Sequence, residues 1–219
     1  MKVRKLMMIL VSLVAVTCFG LSAFAQESKP IPLPAPKLDS AKSLAQAFKD
    51  RKTTREWAPQ NLPEQTISNL LWAAWGINRP DSGRRTAPSA LNRQEIDLYI
   101  ATDKGVYLYD PKGHALVPVA SGDFRQQTYT QAPFKEAPVH LVYVADLAKM
   151  GEGEEGPKMV LAGMDTGFIA ENVYLYCASE GLNTGYRVSI DRSSLSQTAK
   201  LRPDQKILGA QSVGLPKGK

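Results

Sequence analysis

PKMVLAGMDTGFIAENVYLYCASE, residues Pro157–Glu180, reads as one long helix. Its apolar residues cover nearly the whole circumference. Val160, Met164, Phe168 and Leu175 lie on one side, and Ile169, Val173, Tyr176 and Cys177 on another. A helix apolar all round needs cover on every side. In a domain this small, that predicts a core helix which also helps to build a subunit interface. Gly181 follows as a stop.

Around this helix the chain alternates like a set of strands. Ile96–Ala101, Val106–Asp110 and Ala115–Val119 are separated by the turns Thr102–Gly105 and Pro111–Gly113, which predicts a meander. Val139–Ala145 is apolar on both faces, as a central strand is. Val188–Ile190 reads as short and extended, and Asp191 as the cap of a small helix to about Lys200. Ile207–Gly214 is a last strand. Upstream, Asp39 or Ser40 can cap a helix to about Asp50, with Leu44, Ala47 and Phe48 on one face. A second helix follows Leu62-Pro63, with Ile67, Leu70, Leu71, Ala74 and Trp75 on its apolar face and Gly76 at its end. At 194 residues after the leader (residues 1–25), the chain has the size of one domain.

Residues 1–25 read as a secretory signal peptide. Lys2, Arg4 and Lys5 precede an apolar run from Leu6 to Phe24, and Ala23-Phe24-Ala25 is a small-x-small cleavage site. An uncleaved anchor is the competing reading of so long a run. Cys18 would suit a lipoprotein, but Thr17 stands where a smaller residue belongs. Export, to the periplasm, is the expectation. Removing the three leader cations lowers the net charge from +6 to +3. No aromatic and basic residues interleave, so a nucleic-acid partner is not indicated. Pro30, Pro32, Pro34 and Pro36 alternate through residues 26–38, which read as an extended tether. Only Cys177 remains after cleavage, so no intrachain disulfide can form.

Several chemistries find no support. His114 and His140 lack metal-ligand partners at short spacing and read as satisfied or surface histidines. Cys177 lies among apolar residues, where thiols pack. Asp165 and Glu171 stand six apart and are not helical neighbours, so they read as caps or interface groups. There is no nucleophile elbow, Walker loop or dinucleotide fingerprint. Donors remain. Arg51-Lys52-Thr53-Thr54-Arg55 packs three cations and two hydroxyls into five residues, a set that suits either a phosphate or a solvated face. Residues 77–95 form a long polar loop, functional or a plain connector, that carries Ser89, Asn92 and Gln94. Lys217 and Lys219 close the chain. Donors without a nucleophile suit a cofactor that brings its own chemistry.

Four segments, in order, resemble the FMN-dependent nitroreductase superfamily, and within it the SagB/ThcOx-type dehydrogenases. Arg51–Trp57 is similar to the family's Arg-Arg-Ser-x-Arg-x-aromatic opening. Leu70–Arg79 and Arg85–Ala90 resemble the branch's Leu-Leu-Trp-Ala-x-x-Gly and Arg-Thr-x-Pro-Ser-Ala. Asp165–Leu175 with Gly181–Thr184 is similar to the interface helix and its end, and Val213–Lys219 to the closing Gly-Tyr-Pro with a basic tail. The resemblance implies an α+β fold over residues 39–219, a mixed, mainly antiparallel sheet flanked by helices, in an intertwined homodimer with FMN at the interface. It places Arg51, Lys52, Thr53 and Arg55 on the FMN phosphate and ribityl chain, with Lys217 and Lys219. Ser89, Asn92 and Gln94, from the other subunit, would face the flavin ring. Tyr186–Ser189 would pass the ring near N5, with Arg187, Val188 and Ser189 beside it. Val188-Ser189 replaces the family's Glu-Gly or Gly-Gly, and Arg187 is either an anion partner or a salt bridge. The implied activity is hydride transfer through flavin N5 to or from a small organic substrate. Outside the cytoplasm NAD(P)H is scarce, so the electron donor would differ from a standard nitroreductase cycle. The alternative is an exported FMN-binding or cofactor-free structural protein.

Overall fold

A computed structural model describes residues 29–39 and 42–218. The predicted leader, Cys18, Ser40 and Lys219 lie outside the described residues. In chain order the elements are β1 (Ile31–Pro32), α1 (Leu44–Asp50), α2 (Glu64–Trp75), β2 (Ile77–Arg79), β3 (Arg84–Arg85), β4 (Ile96–Ala101), β5 (Gly105–Asp110), β6 (Ala115–Ser121), β7 (Val139–Asp146), α3 (Glu155–Glu180), β8 (Asn183–Arg187), α4 (Arg192–Thr198) and β9 (Gln205–Gly214).

Seven strands form one sheet in the order β1-β6-β5-β4-β7-β9-β8, and β2-β3 is a separate hairpin. The described pairings of the large sheet run antiparallel. β7 is buried at all eight positions, which agrees with its two-sided apolar sequence. The period-2 alternation of strand side chains splits the core into two layers. Leu98, Ile100, Leu141 and Tyr143 face α2 and α3 with Leu70, Leu71, Trp75, Ile169 and Val173. Tyr99, Ala101, Val142 and Val144 face the other way, onto Leu195 of α4 and Ile190.

Helix ends follow local chemistry. Ser43 caps α1, its hydroxyl accepting the Gln46 N–H at 3.2 Å, where Asp39 or Ser40 had been expected. Of the predicted apolar face of α1 only Ala47 is buried; Leu44 is 63% and Phe48 58% exposed. Gly76 ends α2 with φ −71°, so it needs no left-handed freedom. Its lack of a Cβ matters instead, because one would stand 2.5 Å from the Trp72 ring. Gly181 ends α3 at φ 72°, as a glycine stop does. α3 buries Ile169, Val173, Tyr176 and Cys177 but leaves Val160, Met164 and Phe168 about half exposed in the single chain.

The strand after α3 is Asn183–Arg187, earlier than the Val188–Ile190 expected from the sequence. The β-branched pair drew the reading; the hydrogen bonds to β9 favour the five residues before it. Residues 29–39 run along the opposite edge. Ile31 and Pro32 pair with β6, and the carbonyls of Pro34 and Ala35 accept from Ser68 and Gln65 of α2.

Candidate active site

The basic segment leaves α1 and runs along the free edge of β8. The Thr54 N–H donates to the Thr184 carbonyl at 2.8 Å, and the Thr54 hydroxyl adds a second bond at 3.2 Å. Trp57 Nε1–H reaches the Asn183 carbonyl, and the Asn183 amide returns a 2.6 Å bond to the Glu56 carbonyl. The Ala58 N–H donates to the Leu215 carbonyl at 2.9 Å, which ties in the chain after β9. Gly185 permits the approach: a Cβ there would lie 2.7 Å from the Thr54 carbonyl. Trp57 is fully buried against Phe134 and anchors the strip.

This path brings Arg51, Lys52, Thr53, Arg55 and Lys217 to one end of the sheet. Arg51, Lys52 and Arg55 make no ion pair among the described residues. Arg51 lies over the Tyr174 ring at 5.5 Å and Arg55 over Phe134 at 5.9 Å. Both stay exposed, so the cations are positioned by aromatic faces and not neutralised. Lys217 is the exception, held by Glu136 at 2.7 Å and with its ammonium pKa raised by that carboxylate. A cavity of about 450 Å³ opens beside the strip, lined by Lys49, Lys52, Tyr174, Asn183, Thr184 and Pro216. Three unpaired cations, a threonine hydroxyl and an adjoining cavity fit a phosphorylated ligand such as FMN.

Tyr174 and Phe134 have no counterpart in the sequence reading. The Tyr174 hydroxyl bonds Thr53 at 3.0 Å and accepts the Tyr186 N–H at 2.9 Å, so it locks strip to strand. A tyrosine on an apolar helix gives no sign in sequence of where its hydroxyl points.

The other predicted site residues sit elsewhere. Ser89, Asn92 and Gln94 belong to a loop fixed to α3 at Asp165, whose carboxylate accepts the Ala90 N–H at 2.8 Å. Asp165 and Tyr174 are nine residues apart, about 13 Å along the helix axis, so one chain does not bring this loop to the strip. The Gln94 amide is committed within its loop, donating to Gly83 and Asn92 and accepting from Arg85 at 2.8 Å. The Ser89 hydroxyl accepts the Gln94 N–H.

Arg187 makes no salt bridge among the described residues, and its guanidinium is turned inward onto neutral acceptors. It is 6% exposed and donates to the Thr128 carbonyl, the Thr128 and Ser212 hydroxyls and His140 Nδ1, all within 3.1 Å. Its guanidinium lies 4.2 Å from the centre of the Phe134 ring. Burial lowers its pKa to about 10. His140 is held neutral, first by burial and then by Arg187, with Nε2–H donating to the Ala137 carbonyl. Both histidines are satisfied; His114 bonds Ser68 and Tyr109. Arg187 thus fixes the end of β8, while Val188 beyond it is 58% exposed. Burial also pushes the Cys177 thiol up, so it stays protonated packing.

The sequence profile of the nitroreductase family matches residues 48–215. A Ralstonia eutropha structure is 36% identical with a TM-score of 0.83, covering 91% of this chain and 97% of that one. A Methanocaldococcus jannaschii protein is 29% identical over 147 residues, 61% of this chain and 72% of that protein. A Desulfovibrio desulfuricans structure solved in complex with FMN is 17% identical with a TM-score of 0.58, covering 82% and 89%. All three carry provisional nitroreductase names. A family profile that begins in α1, takes in the basic strip Arg51–Arg55 and ends just past β9 spans every strand from β2 to β9, and the chain therefore belongs to the nitroreductase family.

Proposed function

We propose that the protein is an exported, homodimeric FMN-dependent oxidoreductase of the SagB/ThcOx type, acting on a small organic substrate. The observation that carries the cofactor assignment is the trio Arg51, Lys52 and Arg55, which makes no ion pair among the described residues and of which Lys52, with Asp50, lines the cavity. Exposed like charges so close together repel one another, and a dianionic phosphate relieves this while gaining charge-assisted bonds. Thr53 and Lys217 complete the donor set, with Lys219 beyond the described residues. FMN, when bound, supplies hydride transfer at N5. The protein's own part is to bind, orient and shield. Arg187 fixes the start of Val188-Ser189, whose backbone would face the ring, and Val188 offers an apolar wall on the substrate side. Ser89, Asn92 and Gln94 would reach the ring from the partner subunit. Val160, Met164 and Phe168, at i, i+4 and i+8 on α3, supply an apolar row for that partner.

The purified protein is expected to be yellow, or to take up FMN with a flavin absorption band. Colourless protein that fails to bind FMN in titration would overturn the enzyme reading and favour a cofactor-free structural role.

A further inference from the structure

β8 ends at Arg187, whose pairing with Ala210 is its last with β9. The chain then passes through Val188, Ser189 and Ile190 to α4 without a ladder. Its three carbonyls are all occupied nonetheless. Ser189 accepts the Thr130 N–H at 3.2 Å, and Ile190 accepts the Arg192 N–H at 3.0 Å. Val188 accepts from the Arg192 guanidinium, whose Nη1 lies 3.0 Å from its carbonyl oxygen. The N–H groups of Val188 and Ser189 have no acceptor among the described residues. A backbone N–H is a strong donor that is rarely left without a partner. This segment therefore has its acceptors filled and its donors open.

Arg192 reaches beyond Val188. Its Nε and Nη2 donate to the carbonyls of Ile207 and Leu208 on β9, at 3.1 and 3.3 Å. Those residues stand at a β-bulge: Tyr143 of β7 pairs with Gly209 and Val144 with Ile207, so Leu208 is left over. A bulge disrupts the ladder locally and leaves its extra residue unpaired. The guanidinium presents its donors in one rigid plane, and here each of its nitrogens meets a different carbonyl.

The position runs against its own helix. Arg192 is the first residue of α4, directly after the Asp191 cap. A cation there opposes the helix dipole. Arg192 is exposed and forms no ion pair among the described residues. A charge set where its helix disfavours it, and bonded to neutral carbonyls of two other segments, has its reason outside the helix.

We infer that Arg192 is a positioning residue, which clamps the Val188 carbonyl to the β9 bulge and so holds Val188-Ser189 with its N–H groups free to meet a ligand. Arg187 secures the segment at its start, through Thr128, Ser212 and His140. Arg192 secures it from the far side. Without the clamp the Val188 carbonyl is released, the peptide planes turn, and the open donors lose their direction. The consequence for FMN rests on the reading above that this segment faces the flavin ring; the clamp itself does not.

Amide hydrogen exchange on the full-length, FMN-free protein tests the clamp. Thr130 reports on the segment through its bond to Ser189, and Asp191 through its bond to Gln127. In Arg192→Gln, protection at both is expected to fall roughly tenfold or more, as local opening does. Leu195 and Ala199, whose N–H groups bond within α4, should keep the parent's protection. Arg192→Lys retains the charge without the planar fork and should lose protection as well. Parent-like protection in either variant would overturn the clamp. So would equal losses at Leu195 and Ala199, which would make Arg192 a general support of α4. Titration with FMN and with 5-deaza-FMN, whose ring carries C–H in place of the acceptor N5, gives a second readout. The parent is expected to bind FMN the more tightly, and Arg192→Gln to narrow that ratio by roughly two- to tenfold, the worth of one ordinary hydrogen bond. A parent that binds the two alike refutes the placement of the segment at the ring, while exchange decides the clamp. A ratio that survives in a variant with lost protection overturns the positioning role.

Discussion

Arg51 has an aromatic face beneath it and no carboxylate within ion-pair distance among the described residues. A phosphate at that position gains a charge-assisted bond of about 1.5–3 kcal/mol. Arg51→Ala is therefore expected to weaken FMN binding roughly ten- to a hundredfold, at about 1.4 kcal/mol per tenfold. Riboflavin lacks the phosphate, so it should bind the parent more weakly and be nearly indifferent to the substitution. Parallel titrations of the two ligands check this; unchanged FMN affinity in a folded variant would make the cluster a solvated surface. Arg187 teaches the opposite lesson about arginines. Both read alike in sequence, as cations near a site, but four buried acceptors consume one and the other stands free of them. Which acceptors a guanidinium meets depends on β7, β9 and the segment around Thr128, all distant in the chain.

At the scale of elements, the strip from Arg51 to Ala58 works only because β8 lets it come close. Gly185→Ala would place a methyl 2.7 Å from the Thr54 carbonyl, a backbone atom, and 3.2 Å from the Phe134 ring. Overpacking of this kind costs about 1–3 kcal/mol. The variant is expected to lower the urea midpoint and weaken FMN binding, although every charge is intact. A midpoint and an affinity equal to the parent's would show that the strip tolerates displacement. Most elements were legible from periodicity and turn residues, since β4 to β7, α2, α3 and β9 each declare an apolar pattern. What was not legible has a common cause. Leu44 and Phe48 announce an apolar face but not what covers it, and among the described residues both stay more than half exposed. Tyr174, Phe134 and Glu136 position the basic residues through contacts across more than 75 residues of chain. The same holds for Asp165. In sequence it stands beside Glu171 on its own helix, whereas the N–H it accepts, that of Ala90, comes from the loop before β4.

For the whole molecule, two consequences can be measured. The exposed row Val160, Met164 and Phe168 predicts a dimer by sedimentation at micromolar concentration, and Met164→Glu is expected to shift it to monomer. A dimer undisturbed by that charge would place the interface elsewhere. The second consequence is one contribution to stability, that of the buried Glu95 carboxyl, which falls as pH rises. Glu95 is near 4.5 when unfolded and about 7 when folded, so the native state retains its proton longer. Its contribution is complete below pH 4.5, is lost between about 4.5 and 7, and is level above. At about 1.4 kcal/mol per pH unit the loss is on the order of 3 kcal/mol. His114 and His140, both lowered by burial, act in the opposite direction below about pH 6.5, so the Glu95 contribution is read as the difference between the parent and Glu95→Gln in urea unfolding of FMN-free protein at pH 5 and 7.5. The lowered carboxyls of Asp50, Asp123 and Asp191 lose their contributions only as pH falls below about 4, outside this window. Finally, the sheet ends at β1 on one side and β8 on the other, some 29 Å apart at about 4.8 Å per strand. An uncovered terminal strand is a template on which other chains polymerise. β1 is two residues long and includes Pro32, a poor template, so the burden falls on β8, and there the basic strip is the cover. On the proposal that this strip holds FMN, selection for cofactor affinity and selection against aggregation act on the same seven residues, Arg51 to Trp57, and a change that frees the strip exposes a sticky edge as well as emptying the site.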